Sequence, residues 1–122
     1  MARYVDGFVF PVPRDRLHEY RRIAAGAAEV WKEHGALDYC EYLGDDMRLD
    51  GTRSFVDALA AAEDEVVVFG WVSFDSRASR DLANQKVAAD PRMAELMESS
   101  DSGFDATRMM YGGFESLTGH AD

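Results

Sequence analysis

The sequence has one cysteine, three prolines and no long apolar run in its 122 residues. Cys40 alone cannot form an intrachain disulfide. The longest uncharged apolar stretch, residues 66–74, is far shorter than the roughly 20 residues that cross a bilayer. Near the N-terminus, Asp6 and Gly7 interrupt the apolar segment that a secretory signal needs. We therefore expect a cytoplasmic protein that does not associate with membranes.

Basic residues are also scarce, with 13 Lys and Arg against 23 Asp and Glu, which gives a net charge of −10. Proteins that bind nucleic acids without regard to sequence neutralise phosphates with Lys and Arg, and anionic membranes attract the same residues. The charge therefore argues against a nucleic-acid partner of this kind and against an anionic membrane surface. More than half of the acidic excess lies in residues 41–65, which hold eight acids and two bases. We interpret this segment as a solvated rim.

Sequence motifs that would identify a reaction are missing. The histidines, the cysteine and the carboxylates lack the spacing of a metal site, and there is no Gly-x-Ser-x-Gly sequence. We expect no metal and no cofactor.

Hydrophobic periodicity predicts alternating strands and helices. Apolar residues recur at every second position in the strand segments and at every third or fourth position in the helical ones. Pro11 and Pro13 are expected to end the first strand, and Gly35 to end the first helix. Residues 54–62 fit neither period. The predicted elements are strands over 3–12, 37–43, 65–74 and 108–117, helices over 15–34 and 76–90, a helical turn over 92–98 and a loop over 99–106.

The order β-α-β-β-α-β predicts an α+β, ferredoxin-like fold, with a four-stranded antiparallel sheet and helices on one face. We expect a single domain over residues 1–118 and a tail over 119–122. The first and third strands carry large apolar side chains on both faces, as Phe8 and Val9 illustrate in the first. The face away from the helices therefore needs a cover, which predicts a homodimer with two sheets packed face to face. The alternative is that loops cover this face.

Several segments resemble those of a known bacterial family. They are Tyr4-Val5-Asp6-Gly7-Phe8, Trp31-Lys32-Glu33-His34-Gly35-Ala36-Leu37, Phe69-Gly70-Trp71-Val72 and Arg108-Met109-Met110-Tyr111-Gly112-Gly113-Phe114. Together they are similar to the YbaA-like proteins, a family of unknown function, along nearly the whole chain. The resemblance implies a dimeric α/β barrel and implies no activity.

Two residues are candidates for catalysis. Asp6 lies among aromatic side chains on its strand face, an environment that favours a base or a hydrogen-bond donor. The alternative is that Asp6 pairs with an arginine. His34 lies at the C-terminus of the first helix, where the helix dipole favours a cationic imidazole. A purely structural role is therefore equally open for His34.

Four further residues are candidates for lining a ligand pocket. Arg80 and Arg108 could hold a carboxylate or a carbonyl in bidentate fashion, or pair with the abundant acids. Asn84 is a polar residue on the same predicted helix as Arg80. Trp71 lies at a strand position similar to that of a tryptophan in haem-degrading monooxygenases. Ten residues beyond it, however, this chain has Asp81 where those enzymes have the histidine that binds iron, so we expect no haem.

These observations predict a homodimeric domain that binds a small molecule in a pocket between its helices and its sheet. The alternative is a cofactor-independent enzyme, similar to a monooxygenase or an isomerase, that acts on a small organic substrate.

Overall fold

Four strands form one antiparallel sheet in the computed structural model, which describes residues 3–98 and 101–119. The strand order is β2-β3-β1-β4. The strands are β1 (Tyr4–Pro13), β2 (Asp38–Leu43), β3 (Glu65–Phe74) and β4 (Met110–Glu115). This architecture confirms the predicted α+β, ferredoxin-like fold. Parts of the predicted loop over 99–106 and of the predicted tail over 119–122 lie outside the described residues.

Helices connect the strands in the described part of the chain. They are α1 (Leu17–Glu33), α2 (Phe55–Ala58), α3 (Arg77–Ala89) and α4 (Pro91–Glu98), with 3-10 turns at Arg14–Arg16 and Ala106–Arg108. The positive φ of Gly35, 116°, allows the chain to leave α1. The Ser76 hydroxyl begins α3 by accepting the N–H of Ser79 at 3.1 Å. None of the described helices combines the length and the apolar character that a membrane crossing requires.

β1 continues through Pro11 and ends at Pro13, so the prediction is wrong at Pro11 and confirmed at Pro13. The N–H of Arg14 donates to the carbonyl of Asp64 at 2.7 Å, and the register then assigns the hydrogen bonds with β3 to even-numbered residues of β1. The two prolines are odd-numbered and face the β4 side, but β4 pairs with β1 only as far as Val9. Their missing N–H groups therefore remove no hydrogen bond from the sheet.

The last strand is shorter than predicted because residues before it form a 3-10 turn. Asp105 caps this turn, and its carboxylate accepts the N–H of Thr107 at 3.0 Å. Arg108 therefore ends the turn and does not belong to β4. In the segment that fits neither period, Ser54 begins α2 by accepting the N–H of Val56 at 3.1 Å.

The two faces of the sheet are covered by different elements. On one face, the apolar side chains of β1 and β3 pack against α1 and α3, and α4 packs beside α1. On the other face, Leu59 follows α2 and packs on Val9 and Val67. Helices α1, α3 and α4 therefore share one face as predicted, and the segment around α2 covers part of the opposite face.

The rest of the opposite face is a groove of apolar side chains. The side chains of Phe69, Met110 and Phe114 are 43%, 43% and 60% exposed. The groove has a volume of 580 Å³ and is also lined by Val5 and Trp71. Loops thus cover only one part of this face, and the remainder stays apolar and accessible.

Candidate functional site

A cavity of 520 Å³ lies between the helices and the sheet. Its lining comes from all four strands, from α1, α3 and α4, and from the segment that precedes β4. The apolar members are Phe8, Phe10, Ile23, Ala24, Ala27, Trp31, Val72, Met93, Met97, Phe104 and Met109. The polar members are Asp6, Tyr20, Tyr39, Asn84, Ser102 and Tyr111. The cavity lies in the layer of the fold where the sequence predicts a pocket.

A glycine in β3 makes room for one wall of this cavity. Gly70 pairs with Phe8 across the strands, and a Cβ at Gly70 would lie 2.6 Å from the Phe8 ring. The same Cβ would lie 2.9 Å from the backbone oxygen of Cys40, which cannot rotate away. The absence of a side chain therefore lets the Phe8 ring lie over the sheet, where it stacks with Phe10 at 6.1 Å between ring centres.

Asp6 is the only charged residue among the described residues that line the cavity, and it is 5% exposed. One of its oxygens, Oδ1, receives two hydrogen bonds. Arg80 Nη1 donates to Oδ1 at 2.9 Å, and the Tyr111 hydroxyl donates to it at 2.7 Å. The structure thus has the ion pair between Asp6 and an arginine that is one of the two alternatives for this residue in the sequence.

The guanidinium of Arg80 is held in place by further partners. Arg80 Nη1 also donates to the Tyr111 hydroxyl at 2.6 Å, and Nη2 donates to the Tyr4 hydroxyl at 3.1 Å. Its Nε donates to the Asp81 carboxylate at 2.9 Å. A Cβ at Gly113 would collide with the Tyr4 hydroxyl, so this glycine leaves room for the tyrosine to reach Arg80.

Tyr111 joins β4 to this polar cluster, and sequence reasoning did not single it out. Burial raises its pKa to about 12, and its hydrogen bond to Asp6 acts in the same direction. The hydroxyl therefore keeps its proton near neutral pH and donates it to Asp6. The alternation of side chains along the last strand is the signal in the sequence. The odd-numbered residues of β4, including Tyr111, lie on the same face of the sheet as Asp6.

A second polar cluster, also missed from the sequence, lies where β2 meets α1. The hydroxyls of Tyr20 and Tyr39 both donate to the carboxylate of Glu41, the second at 2.8 Å. Burial raises the pKa of Glu41, while the hydrogen bonds from the two tyrosines act in the opposite direction. Burial, together with the neighbouring Glu41, also raises the pKa of each tyrosine above its ordinary value. Both hydroxyl protons are therefore directed at Glu41.

Asn84 lines the cavity, one helical turn beyond Arg80 on the same face of α3. Trp71 does not lie there. It pairs with Gly7 and faces the opposite side of the sheet, where its ring stacks on Tyr42 at 5.2 Å. The neighbouring residue, Val72, faces the cavity instead.

His34 and Arg108 also lie outside the lining of the cavity. His34 Nε2 lies 2.8 Å from Asp90 Oδ2, which joins the end of α1 to the junction of α3 and α4. Arg108 binds Glu65 through two hydrogen bonds of 2.6 and 2.9 Å and ties the turn before β4 to the start of β3. Within residues 3–98 and 101–119, no group of three or more His, Cys, Asp or Glu side chains could hold a metal ion.

The comparison with known proteins adds the family. Residues 3–106 match the family described as "Protein of unknown function (DUF1428)". This chain is a DUF1428 protein. It is 48% identical over 115 residues to the uncharacterized protein YbaA of Escherichia coli K12. The matched segment covers 94% of this chain and 97% of YbaA. YbaA of Shigella flexneri matches to the same extent. The resemblance to YbaA-like proteins is thus confirmed.

Solved structures share the fold of this DUF1428 chain at low sequence identity. A monooxygenase of Streptomyces coelicolor, in complex with the ligand nanaomycin D, has a TM-score of 0.57 and 18% identity over 99% of this chain and 93% of that one. An uncharacterized NIPSNAP domain protein of Burkholderia xenovorans has a TM-score of 0.54 and 11% identity over 98% and 99%. At these identities the similarity shows the fold alone.

The cavity of this DUF1428 protein is suited to an apolar molecule that carries a polar group. Its aromatic and methionine side chains give a large apolar contact surface, and methionine adapts readily to different shapes. Its charged group, Asp6, is held on one side by Arg80 and Tyr111. Such a site combines apolar burial with one fixed polar contact.

Proposed function

We propose that this chain binds a small, largely apolar organic molecule in the cavity between its helices and its sheet. The observation that carries the proposal is the cavity itself, whose 520 Å³ are lined mainly by apolar side chains around the buried Asp6. Ligand pockets in proteins commonly have volumes of about 300–1,000 Å³ and a similar lining. The ligand-bound Streptomyces coelicolor monooxygenase of the same fold is compatible with this proposal.

A substitution that fills part of the cavity tests this function. Ala27 is buried and lines the cavity, whereas Ala25 is exposed on the same helix. We expect Ala27→Leu to weaken the binding of 2-naphthol and 2-methoxynaphthalene at least about tenfold, because the added side chain occupies the space of the ligand. Ala25→Leu is the matched control and should leave binding unchanged. Isothermal titration calorimetry measures both affinities, and thermal unfolding checks that both variants are folded.

Two results would overturn the proposed function. The first is that neither naphthalene compound binds the wild-type protein. The second is that Ala27→Leu and Ala25→Leu bind both compounds as the wild type does, because the ligands would then occupy another surface.

We also propose that the chain forms a homodimer in the cytoplasm. The support for the dimer is the apolar groove on the sheet face away from α1, where Phe69 and Phe114 remain exposed. A second copy of the same face is a self-complementary cover. The dimer is tested by light scattering at micromolar concentration, where a stable monomer would contradict it. The location stays a prediction of the sequence.

An enzyme is the second candidate function, because Asp6 places a carboxylate oxygen at an apolar cavity, where it could accept a proton from a bound molecule. The test is to incubate any bound compound with the protein in air and to search for a product by mass spectrometry. Product that forms with wild type but not with Asp6→Asn supports catalysis. A compound that binds and returns unchanged supports binding alone.

A further inference from the structure

The two oxygens of the Asp6 carboxylate have different surroundings. Oδ1 is occupied by hydrogen bonds from Arg80 and Tyr111. Oδ2 accepts no hydrogen bond from any described residue, although the side chain is only 6% exposed. Since Asp6 lines the cavity, Oδ2 is a hydrogen-bond acceptor that a ligand can satisfy.

The partners of Asp6 are not free to bind the ligand instead. Arg80 uses four of its five N–H donors on Asp6, Tyr111, Tyr4 and Asp81. The Tyr111 hydroxyl already donates to Asp6 and accepts from Arg80. At this end of the cavity, the ligand therefore meets an acceptor that two donors hold in place.

Asn84 is an exposed polar residue that also lines the cavity. It lies one turn along α3 from Arg80, on the same helix face, and it lines the cavity. Its side-chain amide makes no hydrogen bond to a described residue. This amide can donate a hydrogen bond to a polar group of a bound molecule.

The rest of the lining disfavours a charged anion. No cation lines the cavity among the described residues, so a buried carboxylate or sulfonate would find no opposite charge. The hydroxyls of Tyr20 and Tyr39 donate to Glu41 and are thereby withdrawn as donors. The walls instead offer the aromatic rings of Phe8, Phe10, Trp31 and Phe104.

We propose that the ligand is a neutral hydroxylated aromatic molecule, and that its hydroxyl group donates a hydrogen bond to Asp6 Oδ2. This inference rests on the proposed binding function and specifies the class of ligand. The aromatic rings of the ligand would occupy the apolar part of the cavity. Its hydroxyl group would bind the one charged acceptor in the described lining. A hydrogen bond to a charged acceptor contributes enough binding free energy that two ligands differing only in this donor should have measurably different affinities.

Three naphthalene compounds of nearly the same size test the ligand class with the wild-type protein. They are 2-naphthol, which has a donor, 2-methoxynaphthalene, which has none, and 2-naphthoate, which is an anion. We expect 2-naphthol to bind at least about tenfold more tightly than 2-methoxynaphthalene in calorimetric titrations, and 2-naphthoate to bind most weakly.

The variant Asp6→Asn tests whether Asp6 Oδ2 is the atom that accepts the ligand's hydrogen bond. Arg80 Nη1 can only donate, so the amide oxygen must take the place of Oδ1, and the amide NH₂ group takes the place of Oδ2. The cavity then presents a donor where it had an acceptor. We expect the preference for 2-naphthol over 2-methoxynaphthalene to fall to about one or to reverse. Asp57→Asn, the same change at an exposed ion pair with Arg48, should keep the wild-type preference.

The possible outcomes separate this inference from the proposed function. If the wild type binds all three compounds within about threefold of one another, the ligand class is wrong and the binding function stands. If none of them binds, the binding function fails and the inference fails with it. A preference for 2-naphthol that persists in a folded Asp6→Asn variant overturns the role of Oδ2. Should Asp6→Asn not fold, the wild-type series still decides the ligand class.

Discussion

Two residues with a functional prediction, His34 and Arg108, bind carboxylates at other places in the fold. Asp90, the partner of His34, shows what such a pair does. Its side chain is largely buried and receives hydrogen bonds from His34 at 2.8 Å and from the Arg92 backbone N–H at 2.9 Å. Arg92 adds an ion pair to Asp90 at 2.6 Å and another to Glu33. This geometry joins three helices, so it serves the fold.

The pKa of Asp90 leads to a prediction about pH. The hydrogen bonds from Arg92 and His34 hold this pKa below its ordinary value of 3.8. A carboxyl group whose pKa is lowered by folding stabilises the fold above its unfolded pKa and loses this effect as the pH falls through its folded pKa. We therefore expect Asp90→Asn to unfold at a lower urea concentration than wild type at pH 7. The difference should shrink as the pH falls below about 4.

The matched control for this prediction is Asp45→Asn, because Asp45 is exposed and has no ion pair among the described residues. Urea titrations at several pH values follow the three proteins, and Asp45→Asn should unfold with wild type throughout. A gap between wild type and Asp90→Asn that stays constant far below pH 4 would contradict the account, since protonated carboxyls no longer attract His34 or Arg92.

Within the elements, two glycines on neighbouring strands have different tolerances for a side chain. An added Cβ at Gly70 meets the Phe8 ring at 2.6 Å and the Cys40 backbone at 2.9 Å. At Gly7 it meets only the edge of the Phe114 ring, at 3.4 Å. We expect Gly70→Ala to lower the free energy of unfolding by about 1–3 kcal/mol, as overpacked sites do. We expect Gly7→Ala to have little effect in the same urea titrations.

The comparison of these two variants also bears on the cavity. If Gly70→Ala moves the Phe8 ring, the binding of 2-naphthol should weaken together with stability, because Phe8 forms part of the lining. Equal stabilities of Gly70→Ala and Gly7→Ala would show that β3 and Phe8 can adjust, and that the glycine does not shape this wall.

Local periodicity predicted most elements because it reports which residues of one element are buried together. Residues 65–74 were predicted as a strand with the bounds that β3 has. The same reasoning failed at Pro11, which lies within β1, since the extent of β4 beside this residue is not visible in its own segment. It also missed the 3-10 turn before β4, where the side chain of Asp105 decides the local geometry.

The candidate site was only partly predictable for a related reason. The alternation of β3 correctly places Trp71 and Val72 on opposite faces of the sheet. Because both faces of this strand are apolar, the sequence does not show which of them the helices cover. Asp6 and Arg80 are 74 positions apart, and their contact depends on how α3 packs on the sheet. Individual residues could therefore be proposed from their chemistry, whereas their assembly required the fold.

At the scale of the whole molecule, the apolar groove on the second face of the sheet is an open surface. The segment around α2 covers Val9 and Val67 at one end, and it leaves Phe69 and Phe114 exposed at 43% and 60%. Solvated proteins rarely keep contiguous apolar surface of this kind without a partner. A second copy would bring the same groove, so that each aromatic side chain meets an apolar surface.

A charge placed in this groove tests the dimer. We expect Phe69→Glu to convert the dimer into a monomer at micromolar concentration, because association would bury an unpaired carboxylate from each subunit. Leu49→Glu is the matched control, since Leu49 is 72% exposed in the loop before α2 and does not line the groove. Light scattering gives the mass of each protein.

If both variants are dimers, the subunits associate through another surface. If the wild type is a monomer, the proposed dimer is wrong. Because the cavity lies on the opposite face of the sheet, a folded Phe69→Glu monomer should still bind 2-naphthol, which separates assembly from ligand binding.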